Sequence, residues 1–158
     1  MTTVTFIDTS VLCELLQVPG KCEPERRQDH WDELDVRVAT GERMIVPITT
    51  VIETGNHIAQ SGPTRYEVAT RFVAFLRQAL GEGSPFLVPR LVFGPEFVAA
   101  LCDGDWSGQT LADLASSKVG AGDLAILVQR DQVRSSGDFS AVDVWTLDHG
   151  LHQLASST

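Results

Sequence analysis

Apolar positions along this chain fall into short compact runs that alternate with longer periodic stretches. Val4-Thr5-Phe6-Ile7 is a β-branched and aromatic run, the pattern of a strand buried on both faces of a parallel sheet. Asp8-Thr9-Ser10 interrupts it with residue types that cap helix starts, and Val11 to Leu16 continues with helical spacing. A turn-rich connector, Gln17 to Pro24, holds Pro19-Gly20. From Pro24 to about Thr40 the sequence reads as a solvated helix with Trp31, Leu34, Val36 and Val38 as its apolar members, stopped by Gly41. Met44 to Ile48 reads as a second strand, with Pro47 near its end. Thr49-Thr50 are expected to cap a helix that carries Val51, Ile52, Glu53, Asn56, His57 and Ile58 and ends at Ser61-Gly62-Pro63. Thr64 to Leu80 is an amphipathic helix with Val68, Phe72, Phe75, Leu76 and Leu80 on one face.

The second half repeats the alternation. Gly81 to Pro85 is a loop and Phe86-Leu87-Val88 a third strand. Helices are expected over Pro95 to Cys102 and Thr110 to Lys118, parted by a polar turn from Asp103 to Gly108. Gly120-Ala121-Gly122 breaks the chain before a helix from Asp123 to Val133, and Asp131 to Ser140 reads as a polar loop. Val142 to Leu147 is the last strand, ending at Asp148-His149-Gly150 with a short helix after it. Strands alternating with helices, without repeats or a linker, predict one α/β domain over residues 1–158 with a mainly parallel sheet.

Composition narrows the picture by exclusion. A hydrophobic fraction of 43% and a charged fraction of 21% belong to a globular chain rather than a disordered one. No apolar run is long enough to span a bilayer, and no basic segment precedes an apolar core at the start, so no membrane partner is expected and the cytoplasm is the expected location. Cys13, Cys22 and Cys102 are odd in number and widely spaced, and His30, His57, His149 and His152 have no zinc-site spacing. The net charge of −9 carries more weight. Proteins that hold nucleic acid chiefly by neutralising its backbone are basic. Either this chain binds no nucleic acid, or its acid excess is local and neutralised by metal, or a basic partner completes the surface.

Four acids then stand out by position. Asp8 follows the first strand, Glu53 lies early in the helix after the second, Asp123 opens the helix after Gly122, and Asp148 ends the last strand. In a parallel sheet these places share the carboxyl edge, where ligands bind. Each also has a plainer reading: Asp8 and Asp123 as helix caps, Asp148 as a turn residue, Glu53 as an ordinary surface acid. Taken together, four packed carboxylates must protonate, be solvated or hold a cation. An all-oxygen set suits magnesium or manganese, which activates water and stabilises both oxygens of a phosphodiester displacement.

Ile7-Asp8-Thr9-Ser10, Thr49-Thr50-Val51-Ile52-Glu53, Gly122-Asp123-Leu124-Ala125-Ile126 and Trp145-Thr146-Leu147-Asp148 together resemble the PIN-domain nucleases, and most closely the toxin half of bacterial VapBC toxin–antitoxin pairs. The resemblance covers nearly the whole chain. It implies a three-layer α/β/α sandwich and a magnesium- or manganese-dependent endoribonuclease. Asp8, Glu53, Asp123 and Asp148 would then be the catalytic acids, with Asp8, Asp123 and Asp148 as metal ligands. Ser10 and Thr146 would orient them, and Asn56, one turn after Glu53, would reach the same cleft. RNA is the implied substrate, with a homodimer and an antitoxin protein as partners. The alternative is a catalytically weak or inactive PIN scaffold that acts as a protein-interaction module.

Other signals resolve differently. Gly120-Ala121-Gly122-Asp123-Leu124-Ala125 fits the dinucleotide fingerprint, but no strand is expected directly before it, so a nicotinamide or flavin site is rejected. An aspartyl-phosphate phosphatase would want an Asp two residues after Asp8, where Ser10 stands. Arg65, Arg71, Lys118, Arg130 and Arg134 are candidates for phosphate contact if they line the cleft. Trp106 and Trp145 are candidates for base stacking or, more commonly, packing.

Overall fold

The computed structural model describes residues 2–88, 93–104 and 109–157. Its four strands are β1 (Thr3–Ile7), β2 (Arg43–Ile45), β3 (Phe86–Leu87) and β4 (Ala141–Trp145). They form one sheet in the order β3-β2-β1-β4, and every pairing is parallel. Helices α1 (Thr9–Leu16), α2 (Arg27–Ala39), α3 (Ile48–Gln60) and α4 (Arg65–Ala79) come before β3; α5 (Pro95–Asp103), α6 (Leu111–Ser116) and α7 (Ala121–Ser136) lie between β3 and β4, and α8 (His149–Ser156) follows β4.

Strand alternation builds the layers. On β1, Ile7 packs into a cluster with Val11, Leu12, Leu15, Ile58, Val68 and Phe72, on the α1, α3 and α4 side. Val4 and Phe6 point the other way and pack with Ile126, Leu127 and Leu151 from α7 and α8. Met44 and Ile45 divide between the same two clusters, as period-two geometry requires. The protein is therefore an α/β fold with helices on both faces of a parallel sheet, consistent with a three-layer sandwich. A third apolar cluster, Phe97, Leu114, Val119, Leu124, Ala125 and Val128, fastens α5 and α6 to α7. Among the described residues no helix is long and apolar enough to cross a membrane.

Several element boundaries differ from the sequence expectation, each for a local reason. The second strand stops at Ile45, and α3 is entered through Pro47, whose φ of −63° and lack of an N–H suit a helix start. Thr49 and Thr50 thus lie inside the first turn and do not cap it. The Thr50 hydroxyl instead donates to the Ile7 carbonyl at 2.9 Å, pinning α3 to the end of β1. Helix α7 starts two residues before Asp123 and runs through the expected polar loop to Ser136, stopped by Gly137 in the left-handed conformation at φ +74°. The last strand ends at Trp145, so Asp148 is the cap of α8 rather than a strand residue. The segment before Gly120 is the end of α6 and a turn, with no strand, as expected when the dinucleotide reading was rejected. Part of the expected turn from Asp103 to Gly108, including Trp106, lies outside the described residues.

Replacing Thr50 by Val removes a buried donor while keeping its volume, so Thr50→Val is expected to cost about 1–3 kcal/mol. The check is a denaturant melt in which the midpoint falls and the slope stays unchanged.

Candidate functional site

The strand order reverses direction between β1 and β4, since the chain builds outward from β1 through β2 to β3 and then returns to the far side of β1. That crevice is where open parallel sheets bind ligands. Asp8 leaves β1 there as the N-cap of α1, and Thr146-Leu147-Asp148 leaves β4 beside it. The Asp8 N–H donates to the Trp145 carbonyl at 3.0 Å, continuing the parallel ladder by one step. Asp8 is buried. Its Oδ2 accepts from the Ser10 hydroxyl at 2.7 Å and from the Thr146 hydroxyl at 2.8 Å. Both hydroxyls are themselves held: Ser10 Oγ accepts the Leu147 N–H at 2.9 Å, and Thr146 Oγ1 the Asp148 N–H at 2.9 Å. Asp148 in turn caps α8, its Oδ1 accepting the Leu151 N–H at 2.9 Å.

The other two acids come from the helices. Buried Thr50, Thr54 and Ile58 set the rotation of α3 and turn Glu53 toward the crevice, where its Oε2 accepts from the Thr9 hydroxyl at 2.8 Å. Asp123, in the first turn of α7, accepts the Gly120 N–H on Oδ2 at 3.3 Å. Glu53 lies against the backbone of Gly122, so closely that a Cβ at that position would collide with the Glu53 carboxylate. The glycine, at an ordinary backbone conformation, leaves the space that the Glu53 carboxylate occupies.

These acids line one cleft of about 280 Å³ together with Thr9, Ser10, Cys13, Lys21 and His57. Each carboxylate has one oxygen committed to a protein donor. Among the described residues the second oxygen of each (Asp8 Oδ1, Glu53 Oε1, Asp123 Oδ1, Asp148 Oδ2) has no hydrogen-bond partner. Mutual repulsion registers on Asp123: burial, then the charge of Asp8, push its carboxyl up to about 6, against the Gly120 N–H, which lowers it; Asp148 and Glu53 add to the rise. Burial also pushes the Cys13 thiol up to about 12, so it remains a protonated, unreactive wall of the cleft.

Among the described residues the cleft sets four hard oxygen donors against one lysine, the chemistry that suits magnesium or manganese. Among the described residues no three His, Cys, Asp or Glu side chains are placed to hold a metal ion as they stand, so a cation would have to draw carboxylates inward on entry.

All four sequence-selected acids thus meet in one place, and Ser10 and Thr146 bond directly to Asp8. Asn56 does not join them: it is exposed, and His57 lines the cleft instead. At about 100° per residue, Asn56 lies roughly 200° around α3 from buried Thr54. Of the basic candidates, none lines the cleft. Arg130 is buried and bonded to Asp131 and the Ala155 carbonyl. Arg65, Arg71 and Arg134 donate to backbone carbonyls. Trp145 is packed in the core with the Arg37 guanidinium 4.8 Å from its ring centre. His149 is exposed on α8, paired with Gln153. Lys21 and His57 escaped sequence reasoning. The i, i+4 spacing from Glu53 was the available signal for His57; for Lys21 there was none.

Fold and site together define an α/β protein with a carboxylate-lined cleft at its topological switch point. Compared with family models, with curated proteins and with solved structures, the chain finds no match in any of the three.

The Asp123 carboxyl is expected to titrate with a midpoint near 6 by carbon-detected NMR, moving down in Asp8→Asn as the neighbouring charge is removed. Because its folded pKa lies above the unfolded value of 3.8, the stability it contributes is present below that value and lost as pH rises through about 6. Asp123→Asn should therefore gain stability relative to the parent chain at pH 7, and the gain should fade in melts run at pH 4.

Proposed function

We propose that this chain is a divalent-cation-dependent endoribonuclease of the PIN-domain type, acting as the toxin of a toxin–antitoxin pair. The observation that carries the reading is that four carboxylates from four parts of the chain line one cleft, each with one oxygen fixed and one unpartnered among the described residues. The resemblance of the four motifs supplies the substrate class, the antitoxin partner and a homodimer as the assembly.

Asp8, Asp123 and Asp148 would hold magnesium or manganese, which supplies a Lewis acid and a water of lowered pKa beside the phosphodiester. The chain's own part is positional. Ser10 and Thr146 lock the rotation of the Asp8 carboxylate and leave its Oδ1 for ligation. The capping bonds from Gly120 and Leu151 fix Asp123 and Asp148 in the same way. Glu53, oriented by Thr9, closes the α3 side of the cleft and completes the acidic set. An RNA phosphate approaching this charge is repelled until the acids are neutralised, which makes cleavage strictly dependent on the added cation.

Asp8→Asn is expected to lower manganese-dependent cleavage of RNA at least about a hundredfold while circular dichroism and melting stay close to the parent. Unchanged cleavage would overturn the proposal. Calorimetric titration with manganese distinguishes it from the inactive scaffold, which would give no heat of binding.

Gly122→Ala separates stability from activity. Alanine in the first turn of α7 favours the helix by up to about 1 kcal/mol, yet its Cβ takes the space of the Glu53 carboxylate. Cleavage should fall roughly 10- to 100-fold with no loss in melting temperature.

A further inference from the structure

Beside the acid cleft runs a second concavity of about 310 Å³, and Glu53 lines both. Ile52, Phe93, Phe97, Leu101 and Ala125 make most of its wall. Its character is the reverse of its neighbour's, almost wholly apolar. Phe93 is 51% exposed and Ile52 56% exposed, although both are large and hydrophobic. The Phe93 ring is held edge-on by Phe97, centroids 4.9 Å apart at 81°, so its position is set while a face stays open.

Lys21 lines the cleft and not the groove. It follows Gly20, in the connector after α1, which is strapped down by the Glu23 N–H donating to the buried Glu14 carboxylate at 3.0 Å and by the Val18 N–H donating to the Cys13 carbonyl at 2.9 Å. The cleft-lining ammonium makes no ion pair with any carboxylate among the described residues.

A lysine-bearing acid cleft joined through Glu53 to an apolar groove with an exposed aromatic ring matches the make-up of a single nucleic-acid strand, in which a charged backbone alternates with flat apolar bases. Resting on the ribonuclease reading above, we propose that the Ile52–Phe93–Phe97–Leu101 groove is the stacking subsite for one unpaired base next to the scissile phosphate, and that Lys21 holds the backbone in the adjoining cleft. The substrate class is then single-stranded RNA, because a base within a duplex cannot leave its stack to reach Phe93 without an unstacking cost. With almost no polar atoms in its wall the groove selects for an unpaired base and not for its identity. Continuity with the cleft through Glu53 favours a base over a protein side chain as occupant.

The test uses the full chain and a short single-stranded oligoribonucleotide carrying 2-aminopurine, read by its fluorescence and by anisotropy in calcium, which neutralises the acids, and then by cleavage in manganese. Expected results are quenching on binding, an affinity about tenfold weaker in Phe93→Ala and restored in Phe93→Tyr, and a KM that rises with kcat nearly kept. Lys21→Gln should flatten the dependence of log affinity on log salt by about 0.7. Equal cleavage of single strand and duplex, or Phe93→Ala with unchanged affinity, overturns the subsite. So does a Phe93→Ala variant that changes only the oligomeric state in sedimentation, which would make the groove a protein interface. Base stacking without any manganese-dependent cleavage would sink the nuclease reading and leave the subsite standing.

Discussion

A carboxylate buried at the end of a strand is costly unless donors surround it, and the answer to that constraint at Asp8 organises much of this molecule. The Ser10 and Thr146 hydroxyls each donate to Asp8 and each accept a backbone N–H from the segment that joins β4 to α8. Two hydroxyls therefore tie together the ends of the two strands that flank the crevice. Hydrogen bonds in such a chain polarise one another. Substituting either hydroxyl strands both a carboxylate lone pair and an amide.

Once Asp8 is fixed, the rest of the site follows from packing. Thr50 reaches the last carbonyl of β1 and so sets the height of α3, and the Thr50–Thr54–Ile58 stripe sets its rotation. Helix α7 lies where Leu124, Ile126 and Leu127 are wholly buried between two clusters, which places its first turn against Glu53. The core thus determines that acids are buried and crowded, and burial first, then the charge of Asp8, raises Asp123. Positive charge is meanwhile drawn away from the site: Arg37 spans Glu33, Glu42 and the Trp145 ring, and Arg130 is spent on Asp131 and Ala155. The overall charge of −9 is in this sense partly a local property, with a cleft that among the described residues sets four acids against one lysine.

What could be read from the sequence was whatever is encoded by short-range pattern. Strand–helix alternation is such a pattern, and so is an acid at the junction of a strand and a helix; both the parallel sheet and the meeting of Asp8, Glu53, Asp123 and Asp148 are visible there. Boundaries that depend on one residue's backbone, such as the Pro47 entry to α3, were displaced by two residues or so. Asn56 and His57 differ only by the rotation of a helix, which long-range burial decides. Lys21 was illegible because a buried glutamate nine residues before Glu23 folds the connector back over α1. The apolar groove was illegible for a similar reason, since its wall draws on α3, α5 and α7 at once.

The capping of α7 and α8 by site acids has one further consequence. The amide protons of Gly120, Leu147, Asp148 and Leu151 are bonded to the carboxylates and hydroxyls of the cleft rather than to a distant scaffold. Their rates of exchange with deuterated solvent are therefore built-in reporters on those side chains. Anything that pulls an acid inward would loosen its amide and quicken that exchange, so the backbone carries a residue-by-residue signal of occupancy that needs no turnover to be read.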